Sequence, residues 1–243
     1  MSNTIKKINL FMFPYAGGNK YSYNNYRLQL SDRFNIIALE SKGRGGRLKE
    51  ALATNLEDIA LDFFEQIRDR LNSPYLFFGH SMGSWLAYLV THLINENKLP
   101  PPMHLFFTGS VNPAVYQSTV IKHQLNKSDF FAHLTDLGGL LPEVLNNRPL
   151  LDYFEPILRA DFMAVEQYQH KPQPKLNIPI TVIIGDNEKN VTLDMAKAWK
   201  NETMGEFEVK VLKGHHFFIN DHVVLISEML RNKMASINPH TQL

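Results

Sequence analysis

The segment with the residue types best suited to chemistry is GHSMG, in which Ser81 stands between Gly79 and Gly83. A short apolar run precedes it and a helical apolar pattern follows it, which predicts a strand, a sharp turn and a helix in immediate succession. Two glycines leave room for such a turn, and the serine hydroxyl would then stand at the carboxyl edge of a sheet. This context favours Ser81 as a nucleophile over a serine in a structural turn.

A serine nucleophile needs a positioned base at neutral pH, usually a histidine with a carboxylate behind it. Two later segments provide both groups, because ITVIIG runs into GDNEKNVT and FEVKVLK runs into GHHFFIND. His215 and His216 compete for the base, while Asp186 and Glu188 are the carboxylates of the earlier loop. Polar residues at the carboxyl ends of strands are where open α/β sheets hold their sites. The other histidines are expected to be surface or packing residues, among them His92, His104 and His123.

Backbone groups for an oxyanion hole are expected in two places. The N–H of Met82 follows the nucleophile directly, at the start of the predicted helix. The glycine-rich turn FPYAGG (13–18) follows the first strand-like run and is the place for a second donor. The alternative interpretation of this turn is a plain connection between a strand and a helix.

Six short apolar or β-branched runs are predicted to be strands, at 8–13, 35–40, 75–80, 103–109, 180–186 and 207–213. Helical patterns lie between several of them, notably at 55–71, 84–97 and 222–235. Continuous apolar strands that alternate with helices predict an α/β fold with a mostly parallel sheet that helices cover on both faces.

The alternation stops between residues 115 and 174, where every pattern is helical. An ordinary crossover to a parallel strand needs only about a dozen residues, so this segment predicts a helical lid inserted between late core strands. Whether its apolar side chains line a substrate channel or pack in a core is left open by the pattern alone. The side chains concerned are Phe130, Phe131, Leu140 and Leu141.

Composition excludes several classes of function. The chain has 243 residues and a net charge of +1, which suits one domain over 1–243 and gives no basic field for nucleic acid. Cysteine is absent, so disulfides, thiolate metal ligands and a cysteine nucleophile are excluded. The first apolar segment is too short for a membrane span and has no cleavage site, so a cytoplasmic protein without membrane attachment is expected.

Six motifs in order resemble the type II thioesterases, which are stand-alone α/β-hydrolases of non-ribosomal peptide and polyketide synthesis. The resemblance covers nearly the whole chain. The motifs are FPYAGG (13–18), KGRGGR (42–47), GHSMGSW (79–85), LGGLLPEVL (137–145), LRADFMAVEQY (158–168) and GHHFFI (214–219).

The resemblance assigns roles to individual residues. It makes Ser81 the nucleophile and gives the oxyanion hole to the backbone N–H groups of Tyr15 and Met82. The family pattern G-G-H-F-F-L places the base at His216. The family's G-x-x-D places Glu188 at the acid position, whereas the alternative, Asp186, requires the loop to shift by two residues. A second departure is Lys42, where the family commonly has proline.

The resemblance implies hydrolysis of acyl groups from the phosphopantetheine arm of acyl or peptidyl carrier proteins, which removes aberrant groups during synthesis. It implies no metal and no cofactor, and we expect a monomer that does not bind nucleic acid. The alternatives are a general carboxylester hydrolase of the same fold, a chain-releasing thioesterase domain, and a non-catalytic protein that docks on a carrier protein.

Overall fold

Six apolar runs form one sheet in the computed structural model, which describes residues 7–118, 120–140 and 142–237. The strands are β1 (Ile8–Phe13), β2 (Phe34–Ala38), β3 (Tyr75–His80), β4 (Leu105–Thr108), β5 (Ile180–Gly185) and β6 (Phe207–Leu212). Their order across the sheet is β2-β1-β3-β4-β5-β6, and every pairing is parallel. The predicted α/β fold is therefore confirmed, and β2 ends two residues before the expected limit.

Helices cover both faces of this sheet. Their bounds are α1 (Asn24–Leu30), α2 (Leu56–Ile67), α3 (Met82–Glu96), α4 (Lys127–Asp136), α5 (Pro142–Leu145), α6 (Arg148–Gln167), α7 (Leu193–Lys197) and α8 (Val223–Ile237). Successive side chains of a strand point to opposite faces, so Phe77 packs with α2 and α3 while Phe78 packs with α1 and α8. None of the described helices is long and apolar enough to cross a bilayer.

The connection from β4 to β5 carries the predicted helical insertion. It contains α4, α5 and α6, together with short 3₁₀ turns at Pro113–Val115 and Lys122–Gln124. Asparagine side chains cap the first turns of two of its helices, because Asn126 accepts from Asp129 N and Asn147 accepts from Leu150 N. The insertion also has a small apolar core of its own, separate from the two layers against the sheet.

Chain order places the candidate residues at one edge. The chain passes from β1 outward to β2 and then returns to the other side of β1 as β3, so the direction of winding reverses between β1 and β3. Ligands of open α/β sheets bind at such a reversal, outside the carboxyl ends of the strands. The loops after β1, β3, β5 and β6 all leave from that edge.

Candidate active site

Ser81 occupies the sharp turn that the GHSMG pattern predicts. It lies between β3 and α3 with φ 53° and ψ −121°, a conformation that is unusual for a residue other than glycine. The backbone N–H of Ser81 donates to the carbonyl of Thr108 at 2.8 Å, which ties the turn to the neighbouring strand β4.

The glycines at both ends of the motif allow close packing. A Cβ atom at Gly79 would overlap the carbonyl of Gly83, and one at Gly83 would overlap the carbonyl of Phe13 in β1. A side chain at either position would therefore push the helix, the turn and the first strand apart. The sequence interpretation of these two glycines agrees with this geometry.

Two backbone segments flank Ser81. Met82 is the first residue of α3, and the first N–H groups of a helix have no partner within it. The loop after β1 turns tightly, because Gly18 N donates to Tyr15 O at 2.8 Å and Gly17 adopts φ 78°. Ala16 of this loop lines the cavity at Ser81, whereas the ring of Tyr15 packs edge-on against Phe217 at 5.1 Å between centroids.

The structure pairs His216 with Glu188. His216 Nδ1 lies 2.8 Å from Glu188 Oε2, and the Glu188 side chain is only 1% exposed. Its second oxygen, Oε1, accepts from the backbone N–H of Gly185 at 2.8 Å, which fixes the carboxylate plane. A carboxylate only accepts, so Nδ1 of His216 carries the proton and Nε2 is left with its lone pair free. A histidine in that tautomer can act as a base.

Asp186 and His215 lie elsewhere. Asp186 Oδ1 accepts from the backbone N–H of Gly214 at 2.9 Å and holds the two loops together on the exposed side. His215 is exposed, and its Nδ1 lies 3.2 Å from Asn187 Nδ2. The structure therefore brings Glu188, and not Asp186, to the imidazole of His216.

One cavity is lined by Ser81, Glu188 and His216 together. Its volume is about 330 Å³, and its walls on the sheet side include Ala16, Ser81, Met82, Trp85, Glu188 and His216. On the side of the helical insertion, the cavity is lined by Leu137, Phe162 and Val165. This volume is at the lower end of the range for sites that take small organic ligands. The mixture of an apolar wall and a serine–histidine–carboxylate set suits hydrolysis of an acyl derivative.

Phe130 and Phe131 pack inside the insertion with Leu134 and Leu158, and Leu140 lies against the same cluster. None of the three residues Phe130, Phe131 and Leu140 is among the cavity-lining side chains of the described ranges. The core alternative therefore holds for them, while Leu141 lies outside the described residues. The apolar pattern alone did not distinguish them from Leu137, which does line the cavity.

His80 is a site residue that the sequence reasoning passed over. It is fully buried, its ring lies 4.8 Å from that of His216 between centroids, and its Nδ1 is 3.0 Å from Thr108 Oγ1. Burial holds the pKa of His80 well below the usual 6.5, and the nearby His216 lowers that pKa further. His80 is therefore a neutral ring that packs against the ring of His216. Its position next to Ser81 in the GHSMG motif was the sequence feature that could have identified it.

A serine in a strained turn, a histidine and a carboxylate, each on a loop at the carboxyl edge of a parallel sheet, define an α/β-hydrolase. The chain belongs to the thioesterase family, because the family description "Thioesterase domain" matches residues 8–234. It is accordingly a hydrolase of acyl thioesters, and the resemblance to type II thioesterases is confirmed.

Three relatives illustrate the similarity. The gramicidin S biosynthesis protein GrsT of Aneurinibacillus migulanus is 31% identical, over 89% of this chain and 85% of that protein. The structure of ClbQ from the colibactin NRPS/PKS pathway is 29% identical with a TM-score of 0.90, over 95% of this chain and 98% of that one. The type II thioesterase BorB from the borrelidin biosynthetic cluster is 26% identical with a TM-score of 0.83, over 94% and 91%.

Proposed function

We propose that this protein removes acyl groups from the phosphopantetheine arms of carrier proteins in non-ribosomal peptide or polyketide synthesis. The observation that carries the proposal is the cavity that Ser81 shares with the Glu188–His216 pair, in a chain of the thioesterase family. Relatives that belong to an NRPS/PKS pathway and to a borrelidin cluster support the class of substrate. The carrier protein would bring the arm, which is therefore part of the partner and not a cofactor of this chain.

The chemistry follows from the roles we propose for the three side chains. The Ser81 hydroxyl attacks the thioester carbonyl while His216 Nε2 takes its proton. Glu188 stabilises the imidazolium through the hydrogen bond to Nδ1. The tetrahedral intermediate collapses, the pantetheine sulfur leaves with the proton from His216, and the acyl group remains on the serine. Water, deprotonated by the same histidine, then releases the acid and restores the hydroxyl.

The oxyanion of both tetrahedral species needs two donors. We propose the backbone N–H groups of Met82 and Tyr15 for this role, since Met82 begins α3 and Tyr15 belongs to the loop beside it. The neighbouring N–H of Ala16 is the other donor that this loop offers, because Ala16 lines the cavity.

We further propose that residues 115–174 act as a lid on a single domain spanning 1–243. The helices α4 to α6 support this, since side chains from α6 and from the end of α4 cover the cavity. The arm would enter beneath them. A cytoplasmic location and a monomeric state stay predictions from the sequence.

Mass spectrometry of an acetyl-loaded carrier protein tests this function. We expect the wild-type enzyme to remove the acetyl group and Ser81→Ala to leave it in place. Ser84→Ala is the matched control, because this buried serine lies three residues further along the chain, in α3, and its side chain bonds only to backbone carbonyls. Faster hydrolysis of small oxyesters than of any carrier thioester would favour the general carboxylester hydrolase, and failure of a fluorophosphonate probe to label Ser81 would favour a docking protein.

A further inference from the structure

A buried ion pair joins the helical insertion to the loops of the sheet. Arg44, in the loop after β2, donates from Nη1 to Asp161 Oδ2 at 2.6 Å and from Nη2 to Asp161 Oδ1 at 2.7 Å. Asp161 belongs to α6, and the two side chains are 3% and 0% exposed. The pair is therefore bidentate and excluded from water, although 117 residues separate its members.

The same two side chains hold the loop after β1. Asp161 Oδ2 also accepts from the backbone N–H of Gly17 at 2.7 Å, and Arg44 Nη1 donates to the carbonyl of Gly18 at 3.1 Å. Gly17 has φ 78°, and a Cβ atom there would lie 2.5 Å from Leu158 Cδ2 of α6. The ion pair thus hydrogen-bonds to the loop at two successive residues, Gly17 and Gly18, which directly follow Tyr15 and Ala16.

Fold stability is a poor explanation for this arrangement. Removing two charges from water is costly, and apolar residues of similar volume often replace a buried pair without loss of stability. Arg44 Nε adds to that cost, because it is buried and has no hydrogen-bond partner among the described residues. What apolar residues could not replace is the acceptor for Gly17 N–H.

We infer that Arg44 and Asp161 are positioning residues that aim the loop after β1 at the reaction centre. This inference rests on the proposed role of that loop as an oxyanion donor. A donor works only when it lies at hydrogen-bond distance from the place where the oxyanion forms, and a misplacement of about 1 Å can cost about 100-fold in rate. Through this pair, the helical insertion would position the oxyanion donor in addition to covering the cavity.

Two double variants separate positioning from stability. Arg44→Met with Asp161→Asn removes both charges and keeps an oxygen that can accept from Gly17 N–H. Arg44→Met with Asp161→Leu removes the charges and that acceptor together. Because neither variant leaves an unpaired buried charge, both are expected to fold. Glu166→Gln is the control on the same helix, since the Glu166 side chain is only 5% exposed and bonds to Lys122 N and His123 but not to the loop after β1.

The first measurement is the rate at which a fluorophosphonate labels Ser81, which needs no knowledge of the natural acyl group. We expect the leucine double variant to label roughly 10- to 100-fold more slowly than the asparagine double variant. For acetyl-pantetheine hydrolysis, kcat is expected to fall by a similar factor while KM stays within about twofold, because only the transition state uses the oxyanion donors. Glu166→Gln is expected to retain the wild-type labelling rate.

Equal labelling rates in the two double variants would overturn the inference, whatever their melting temperatures. A higher KM with an unchanged kcat would also overturn it, since that pattern indicates the loss of a substrate contact. If the probe does not label Ser81 of the wild-type protein, the proposed function is refuted. The proposed role of the loop after β1 as an oxyanion donor, on which the inference rests, is then refuted as well. Labelling of wild type without deacylation of any carrier would refute only the carrier substrate, and the two double variants would still decide the inference.

Discussion

Replacing Glu188 by glutamine tests the assignment of the acid most directly. The two side chains have nearly the same size, and Gly185 N–H now donates to Glu188 Oε1 at 2.8 Å. Glutamine would keep its oxygen at that donor, so its NH₂ group would face His216 Nδ1, which lies 2.8 Å from the other carboxylate oxygen. An amide N–H donates only, and His216 would then carry its proton on Nε2, the nitrogen that we propose takes the proton of Ser81. A histidine in that tautomer cannot accept the proton of the serine.

The expected loss can be estimated from this change of tautomer. The equivalent carboxylate-to-amide change in a serine protease lowers kcat by about 10⁴. At about 1.36 kcal/mol for each factor of ten, this corresponds to about 5.5 kcal/mol of transition-state stabilisation. The Gly185 hydrogen bond is retained and the charge of a buried carboxylate is removed, so we expect the variant to remain folded.

The assay is thiol release from acetyl-pantetheine, with a melting curve for each variant. Asp186→Asn is the matched control, because asparagine keeps the oxygen that accepts from Gly214 N–H. We expect it to change kcat by less than about threefold, as surface substitutions usually do. A larger loss in Asp186→Asn than in Glu188→Gln would refute the assignment of Glu188 and the reasoning from tautomers.

Two further outcomes follow from the packing. Burial lowers the pKa of His92 and of His104 to about 4, so below pH 6.5 the unfolded chain binds protons that the folded chain does not. The free energy of unfolding should therefore fall as the pH drops from 6.5 toward 4, by about 1.4 kcal/mol per pH unit for each histidine. Chemical denaturation at several pH values should show that the free energy of unfolding of His104→Gln depends less steeply on pH than that of the wild type. The same pH dependence in both proteins would contradict this. Trp85 is a rigid cavity wall, because its Nε1 donates to Val111 O at 2.8 Å and its ring meets that of Tyr116 at 5.0 Å. Trp85→Leu should raise kcat/KM for octanoyl-pantetheine relative to acetyl-pantetheine by about tenfold, and an unchanged ratio would exclude Trp85 as a limit on acyl length.

Local patterns predicted most of the sheet and its long helices. Apolar runs of strand length such as Tyr75–His80, next to turn residues, favour a buried strand, and the helical apolar pattern after Ser81 favours α3. The helix Asn24–Leu30 was missed, because it has only seven residues, begins with two asparagines and carries no acidic first turn. Tertiary packing, through the buried residues Tyr26 and Leu30, holds that helix.

The site was predicted only in part. The serine and histidine loops could be recognised because each follows a strand directly, and parallel strands bring such loops to one edge. The candidate acid was harder to choose from the residue pattern alone, because GDNE offers two carboxylates within three residues and the choice depends on the path of the loop. In the structure the backbone N–H of Gly214 engages Asp186, and the longer Glu188 side chain reaches inward to His216.

The sequence alone determined most of the elements and the kind of chemistry, because strand, turn and helix at GHSMG are set by residues within about ten positions of each other. Tertiary structure decided which polar groups meet. Arg44 and Asp161 both lie in recognisable motifs, yet nothing local indicates that they pair across 117 residues or that Gly17 joins them. His80 likewise contacts His216 only because β3 and the loop after β6 converge beneath the cavity. Such contacts depend on the three-dimensional path of the chain, to which local propensity is insensitive.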